Sequence, residues 1–133
     1  MKNNKILIVD DEVDYTETIK TVLELNGFSG RVDVTRNGAE ALDYLFGTDH
    51  QPYSVKNIPG IILLDINMPK IDGLQTLLTI RDVEATKDIP VVMLTSSINR
   101  EDMERAIKFG ANGYLIKPID IENLLSLIRT HIN

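Results

Sequence analysis

The sequence predicts a doubly wound α/β domain, with a five-stranded parallel sheet covered by helices on both faces. Two observations predict it. Apolar runs of strand length alternate along the chain with segments whose apolar residues recur at helical spacing. Most of those runs are apolar at every position instead of every second one, the pattern of strands covered on both sides. Parallel neighbours in such a sheet are joined by right-handed crossovers.

Taken in order, Lys5 to Asp10 (KILIVD) reads as the first strand. Tyr15, Ile19, Val22 and Leu23 then fall at i, i+4, i+7 and i+8, and Gly27 serves as the C-cap of that helix. Arg31 to Thr35 (RVDVT) alternates like an edge strand, and Leu42, Leu45 and Phe46 mark the second helix. The connection from Gly47 to Gly60 (GTDHQPYSVKNIPG) is long and rich in turn formers, which places it on the surface. Ile61 to Asp65 (IILLD) is the third strand, followed by a helix marked by Leu74, Leu77 and Leu78. Val91 to Thr95 (VVMLT) is the fourth, followed by a helix carrying Met103, Ala106 and Ile107 that ends near Gly110. Tyr114 to Lys117 (YLIK) reads as a fifth strand, buried on both faces like the first, third and fourth. Ile121, Leu124, Leu125, Ile128 and Ile132 form the last stripe, capped by Asp120.

The chain's 133 residues suit one domain spanning 1–133, and no repeat, low-complexity tract or interdomain linker divides it. With 20 Asp and Glu against 14 Lys and Arg, the net charge of −6 argues against nucleic acid or an anionic membrane as the principal partner. Cysteine is absent, which excludes disulfides and thiolate metal sites. The opening MKNNKILIVDDE holds too short an apolar run for a signal peptide or a membrane span. The expectation is a soluble cytoplasmic protein.

In sheets of this kind ligands bind beyond the carboxyl ends of the strands, where the strand order reverses. The first strand ends on Asp10 and Asp11, the third on Asp65, the fourth on Thr95 and the fifth on Lys117. Three carboxylates, a hydroxyl and an ammonium thus meet on one rim. Clustered carboxylates repel one another and raise at least one pKa unless a cation joins them. An all-oxygen site with room for water suits Mg²⁺. A carboxylate can also act as a nucleophile and form an acyl phosphate. Phosphoryl transfer asks chiefly for positioning and charge neutralisation, which Mg²⁺ and Lys117 would supply, with Thr95 donating a hydrogen bond.

Each residue also has a plainer reading. Asp10 and Asp11 cap the first helix, which for that pair alone is the simpler account, and Asp65 begins a turn. Lys117 is solvated, Pro118 breaks the chain, Tyr114 is a core aromatic and Gly73 starts a helix. Coincidence explains poorly why the charged and hydroxyl groups occupy four strand ends of one rim.

The acid pair in VDDE (9–12), the segments LLDINMPKIDG (63–73), LTSS (94–97) and YLIKP (114–118) together resemble response-regulator receiver domains, the phosphoacceptors of two-component signalling. The resemblance covers essentially the whole chain. It implies a flavodoxin-like (βα)5 fold with strand order 2-1-3-4-5. It also implies that Asp65 takes a phosphoryl group from a sensor histidine kinase or a histidine phosphotransfer protein, and that Asp10, Asp11, Asp65 and the backbone carbonyl of Asn67 hold Mg²⁺. By the same likeness Thr95 and Lys117 bind the phosphoryl group, Thr95 and Tyr114 form a switch, and the Lys117–Pro118 bond is cis. The only chemistry implied is self-catalysed phosphoryl acceptance and autodephosphorylation, with Asn67 and Ser97 flanking the group and tuning its lifetime. Ile66 stands where some members carry tryptophan, and the long Gly47 to Gly60 connection is weakly similar to regulators paired with phytochrome-type kinases. With one residue after Ile132, no effector domain is expected to follow, so the signal leaves through a protein surface. That surface is the face formed by the helix after Asn99, the strand ending at Lys117 and the terminal helix. Its partner is left open among a second copy in a homodimer, a phosphotransfer protein and a separate target.

Rival functions fit less well. A flavin binder of the same fold needs a hydroxyl- and glycine-rich phosphate loop after the first strand, where this chain has DDEVD. A Mg²⁺-dependent phosphatase with an aspartyl nucleophile places an Asp-x-Asp pair there, which DDEVDYT does not supply, and no GxxxxGK[ST] loop is present for an NTPase. A non-phosphorylated pseudo-receiver acting only as an interaction module remains if Asp65 cannot be phosphorylated.

Overall fold

The computed structural model describes residues 3–47, 57–68 and 72–132. Strands and helices alternate as β1 (Ile6–Val9), α1 (Val13–Leu25), β2 (Val32–Thr35), α2 (Gly38–Phe46), β3 (Ile61–Leu64), α3 (Gly73–Asp82), β4 (Val91–Thr95), α4 (Arg100–Lys108), β5 (Gly113–Ile116) and α5 (Ile121–His131). All the pairings are parallel, in the order β2-β1-β3-β4-β5, as expected for this fold. β1 is hydrogen-bonded to both β2 and β3, so the connections change direction around it and the acids at its end lie at the reversal point.

The uninterrupted apolar runs divide between the two faces by simple alternation. Leu7, Val9, Ile62, Leu64, Val91 and Met93 face one layer, where Ala41, Leu45, Leu74, Leu77, Ile80 and Ala106 of α2, α3 and α4 cover them. Ile6, Ile8, Ile61, Leu63, Val92 and Leu94 face the other, against Ile19, Leu23, Leu124, Leu125 and Ile128 of α1 and α5. Each of the larger side chains contributes about 1.5–3 kcal/mol by leaving water.

Several expected positions differ. β5 is not buried on both faces: Tyr114 and Leu115 are half-buried and Ile116 is 39% exposed. A sheet has two edges, and this order makes β5 one and β2 the other. In α3 the covered stripe is Leu74, Leu77 and Ile80 while Leu78 is exposed, and in α4 Ala106 is buried while Ile107 is 66% exposed. One residue along a helix turns the side chain by about 100°, so the neighbour of a core position leaves the core. Met103, Leu42, Tyr15 and Val22 are half-buried, Ile121 is exposed, and Thr16 takes the core position beside Ile19 and Leu23.

The helix ends follow the sequence more closely. The side chains of Asn37, Asp72, Asn99 and Asp120 accept backbone N–H groups in the first turns of α2, α3, α4 and α5. Gly27, at φ 88°, follows the Asn26 cap of α1 and takes the left-handed conformation that ends the helix. Of the long connection, residues 48–56 lie outside the described residues, as do Pro69, Lys70 and Ile71 of the acceptor segment. Arg81, not singled out by the sequence, clamps one corner: its guanidinium donates to the carbonyls of Lys87, Ile89 and Gly110 and to Oδ1 of Asn112.

Candidate functional site

The sheet ladder runs one residue past β1 and β3 and so fixes the acids at the rim. Asp10 N–H donates to the Thr35 carbonyl and Asp65 N–H to the Val9 carbonyl, each at 3.0 Å, and Lys117 N–H continues the β4–β5 ladder to the Thr95 carbonyl at 2.8 Å. Asp10 and Asp65 are only 1% and 4% exposed, whereas Asp11 faces solvent. One carboxylate oxygen from each of these three lies within 4.8 Å of the others. The capping account of the pair fails: the N-cap of α1 is Glu12, with no side-chain capping bond, and the backbone N–H that the Asp10 carboxylate accepts, at 2.9 Å, is that of Glu12 itself and not of the first turn.

Gly73 does more than begin a helix. A Cβ there would collide with the Asp65 carbonyl oxygen, so the first turn of α3 lies directly against the loop that carries the buried acid. Gly73 N–H also donates to the Ile66 carbonyl at 2.9 Å.

Lys117 is the cation that joins the acids in this chain. Its ammonium donates to Asp10 Oδ2 at 2.6 Å and Glu12 Oε1 at 2.7 Å, and stands 3.6 Å from Asp65 Oδ2. The Tyr15 ring closes a further side, with its centroid 4.4 Å from Nζ. The peptide bond to Pro118 is cis, as the resemblance implies. Thr95 is fully buried, and its Oγ1 accepts the Ser97 N–H at 3.2 Å. Tyr114 Oη donates to the Ser97 carbonyl at 3.1 Å, and Ser97 Oγ donates to Asp102 Oδ2 at 2.8 Å. The loop after β4 is thereby tied to β5 and to the first turn of α4.

Burial, more than repulsion among the acids, pushes the Asp65 carboxyl above the usual range; the Thr95 hydroxyl and the Lys117 ammonium pull against it without prevailing, and the Asp10 charge adds to the rise. Burial also opposes charge on Lys117, but its hydrogen bonds to Asp10 and Glu12 outweigh this and lift its pKa above the ordinary value. Burial pushes the Tyr15 hydroxyl up to about 12.

The structure thus brings together Asp10, Asp11, Asp65, Thr95 and Lys117, with Tyr114 one residue-pair away through Ser97. Asn67 is exposed beside Asp65, and its N–H lies 3.4 Å from Asp65 Oδ1. The sequence reading missed Glu12, which stands third in the VDDE acid run, and treated Tyr15 only as a core position. Hard oxygen donors this close together suit a small divalent cation that keeps part of its water shell.

The family profile described as response regulator receiver domain matches residues 6–129. The chain is 40% identical over 119 residues to the probable methanogenesis regulatory protein FilR2 of Methanothrix harundinacea, covering 90% of this chain and 75% of that protein. It spans about half the length of several further curated relatives that it matches, 47–49%. Among solved structures, the bacteriophytochrome response regulator RtBRR superposes with a TM-score of 0.80 at 36% identity, covering 97% of this chain and 77% of its own. The Mn²⁺-bound form of response regulator Rcp1 gives 0.78 at 30% identity, covering 98% and 91%. A phosphoacceptor fold of two-component phosphorelays is thereby defined. The chain belongs to the response regulator receiver domain family. Likeness to phytochrome-associated regulators therefore extends to the fold as a whole. No described helix is long and apolar enough to cross a membrane.

Proposed function

We propose that the chain acts, over residues 1–133, as a single receiver domain that accepts a phosphoryl group on Asp65. The observation that carries this reading is the convergence of Asp10, Asp11 and Asp65 within 4.8 Å, with the Lys117 ammonium 3.6 Å from Asp65. The donor is the phosphohistidine of a sensor kinase or of a histidine phosphotransfer protein.

Asp10, Asp11, Asp65 and the carbonyl of Asn67 would hold Mg²⁺, a choice supported by the all-oxygen donor set of the three acids and by the divalent cation in the Rcp1 structure. When bound, the ion supplies charge neutralisation for the carboxylates and the phosphoryl oxygens, permitting the buried Asp65 to stay ionised. An Asp65 carboxylate oxygen attacks phosphorus and a P–O bond forms. The P–N bond to the donor imidazole breaks, its electron pair returns to nitrogen, and the imidazole takes up a proton. Lys117 balances the new charge. Thr95, whose oxygen already accepts from Ser97 N–H, keeps its own proton to donate. The chain's own chemistry ends with loss of that acyl phosphate to water, without turnover of a further substrate.

The signal passes from Thr95 through the Ser97 loop to Tyr114 and α4, and leaves by the α4-β5-α5 face toward a protein partner or a second copy of the chain, in the cytoplasm and without nucleic acid. Moving such a two-state equilibrium from nearly off to nearly on takes about 5.5 kcal/mol of differential stabilisation, within reach of several charge-assisted hydrogen bonds. Intact mass after incubation with acetyl phosphate tests the reading: one phosphoryl adduct is expected with Mg²⁺, none with EDTA and none on Asp65→Asn. Full labelling of that variant contradicts it, and an unlabelled wild type points to an interaction module instead.

A further inference from the structure

Among the described residues, Glu12 is the one acidic partner of Lys117 that stands outside the carboxylate cluster. Its carboxylate accepts a hydrogen bond from the ammonium at 2.7 Å while its side chain stays 58% exposed, against 8% for Lys117. Asp10 accepts a second hydrogen bond from it at 2.6 Å, and Asp65, at 3.6 Å, lies beyond hydrogen-bond reach. With the Tyr15 ring over the ammonium at 4.4 Å, the resting lysine is held on the α1 side of the rim. Glu12 itself is held by the backbone: it is the N-cap of α1, and its N–H is bonded to Asp10 Oδ1. The Glu12 side chain makes no capping bond, so its reach to Lys117 takes no part in starting the helix.

We propose that Glu12 is a positioning residue that restrains Lys117 away from Asp65 in the unphosphorylated chain and thereby slows phosphoryl acceptance. This rests on Asp65 being the acceptor. To donate a hydrogen bond to a phosphoryl oxygen at Asp65, the ammonium is drawn toward a carboxylate that now stands 3.6 Å away, and its 2.7 Å contact with Glu12 opposes that shift. The contact is therefore made in the ground state and weakened as phosphoryl arrives, and an interaction of that kind raises the barrier. Asp10 differs, because it belongs to the cluster on both sides of the reaction.

The test is the rate of labelling by acetyl phosphate at saturating Mg²⁺ for the wild type, Glu12→Gln and Asp14→Asn. Asp14 lies in the first turn of the same helix, exposed, and is not among the groups around Lys117, so its variant controls for the loss of one negative charge near an anionic donor. Glu12→Gln should label about two- to five-fold faster than wild type, the size expected from releasing a partly exposed ion pair, with Asp14→Asn close to wild type. A Glu12→Gln rate equal to or below wild type overturns the proposal, and so does equal acceleration by both variants. A wild type that takes no label at Asp65 overturns the acceptor reading and this inference with it, whereas a labelled wild type with an unaccelerated Glu12→Gln overturns this inference alone.

Discussion

The Lys117 ammonium donates to Oδ2 of Asp10 at 2.6 Å, with both side chains almost closed to water. Removing one member of such a pair leaves the other charged and buried. Lys117→Ala should therefore destabilise the metal-free protein by about 3–5 kcal/mol, and Mg²⁺ should restore most of that loss by taking the lysine's place against Asp10. Urea melts in EDTA and in Mg²⁺ check it; an equal deficit in both would contradict it. Asp11→Ala, at an exposed position, should leave the metal-free melt nearly unchanged and weaken Mg²⁺ binding.

Asp65 gives a pH dependence. Burial raises its carboxyl pKa in the folded chain, so the fold binds that proton more tightly than the unfolded chain does. Its contribution to stability is fully present below the unfolded value, about 3.9, and is lost as pH rises through the raised folded value. In EDTA, Asp65→Asn should melt above wild type at neutral pH, and the gap should close as the buffer is acidified. A gap independent of pH, or of opposite sign, would show that burial does not govern this carboxyl.

Gly73→Ala forces a methyl group onto the backbone of Asp65. The expected cost is about 1–3 kcal/mol, accompanied by slower labelling because the acceptor loop must shift. Gly27→Ala is the comparison: nothing lies within 4 Å of its Cβ position, and its φ of 88° alone should cost about 1–2 kcal/mol, with labelling unchanged. Paired melts and labelling rates separate the two.

Arg81 should matter as much to stability as a core residue. Loss of its hydrogen bonds to three carbonyls and to Asn112 in Arg81→Ala should cost about 2 kcal/mol or more in urea melts. Arg81→Lys should recover little, because an ammonium lacks the planar fork that reaches several acceptors at once.

Much of this was legible from residue order because the central strands are covered on both faces and advertise it. Ile6 to Val9, Ile61 to Leu64 and Val91 to Leu94 needed no tertiary knowledge, and neither did the acids and hydroxyl that end them. What failed depends on neighbours. Ile116 reads like Leu94 until the strand order leaves one of them at an edge, and Ile107 reads like a core residue until its helix is rotated against the sheet. Glu12 and Tyr15 were on view in the sequence, but nothing there said that Lys117, more than a hundred residues later, would settle between them. Arg81 was hidden for the same reason, since its acceptors are backbone carbonyls, which carry no sequence signal.

The central claim is that Asp65 carries the phosphoryl group as an acyl phosphate formed only with a divalent cation. Borohydride reduction of the labelled chain followed by peptide mass mapping tests it most directly, because reduction converts an acyl-phosphorylated aspartate to homoserine and marks its position. The account predicts that mark at position 65 alone in the Mg²⁺ sample and nowhere in the EDTA sample. A mark at Asp10 or Asp11, a stable phosphoester on Thr95, Ser96 or Ser97, or equal labelling in EDTA would contradict it.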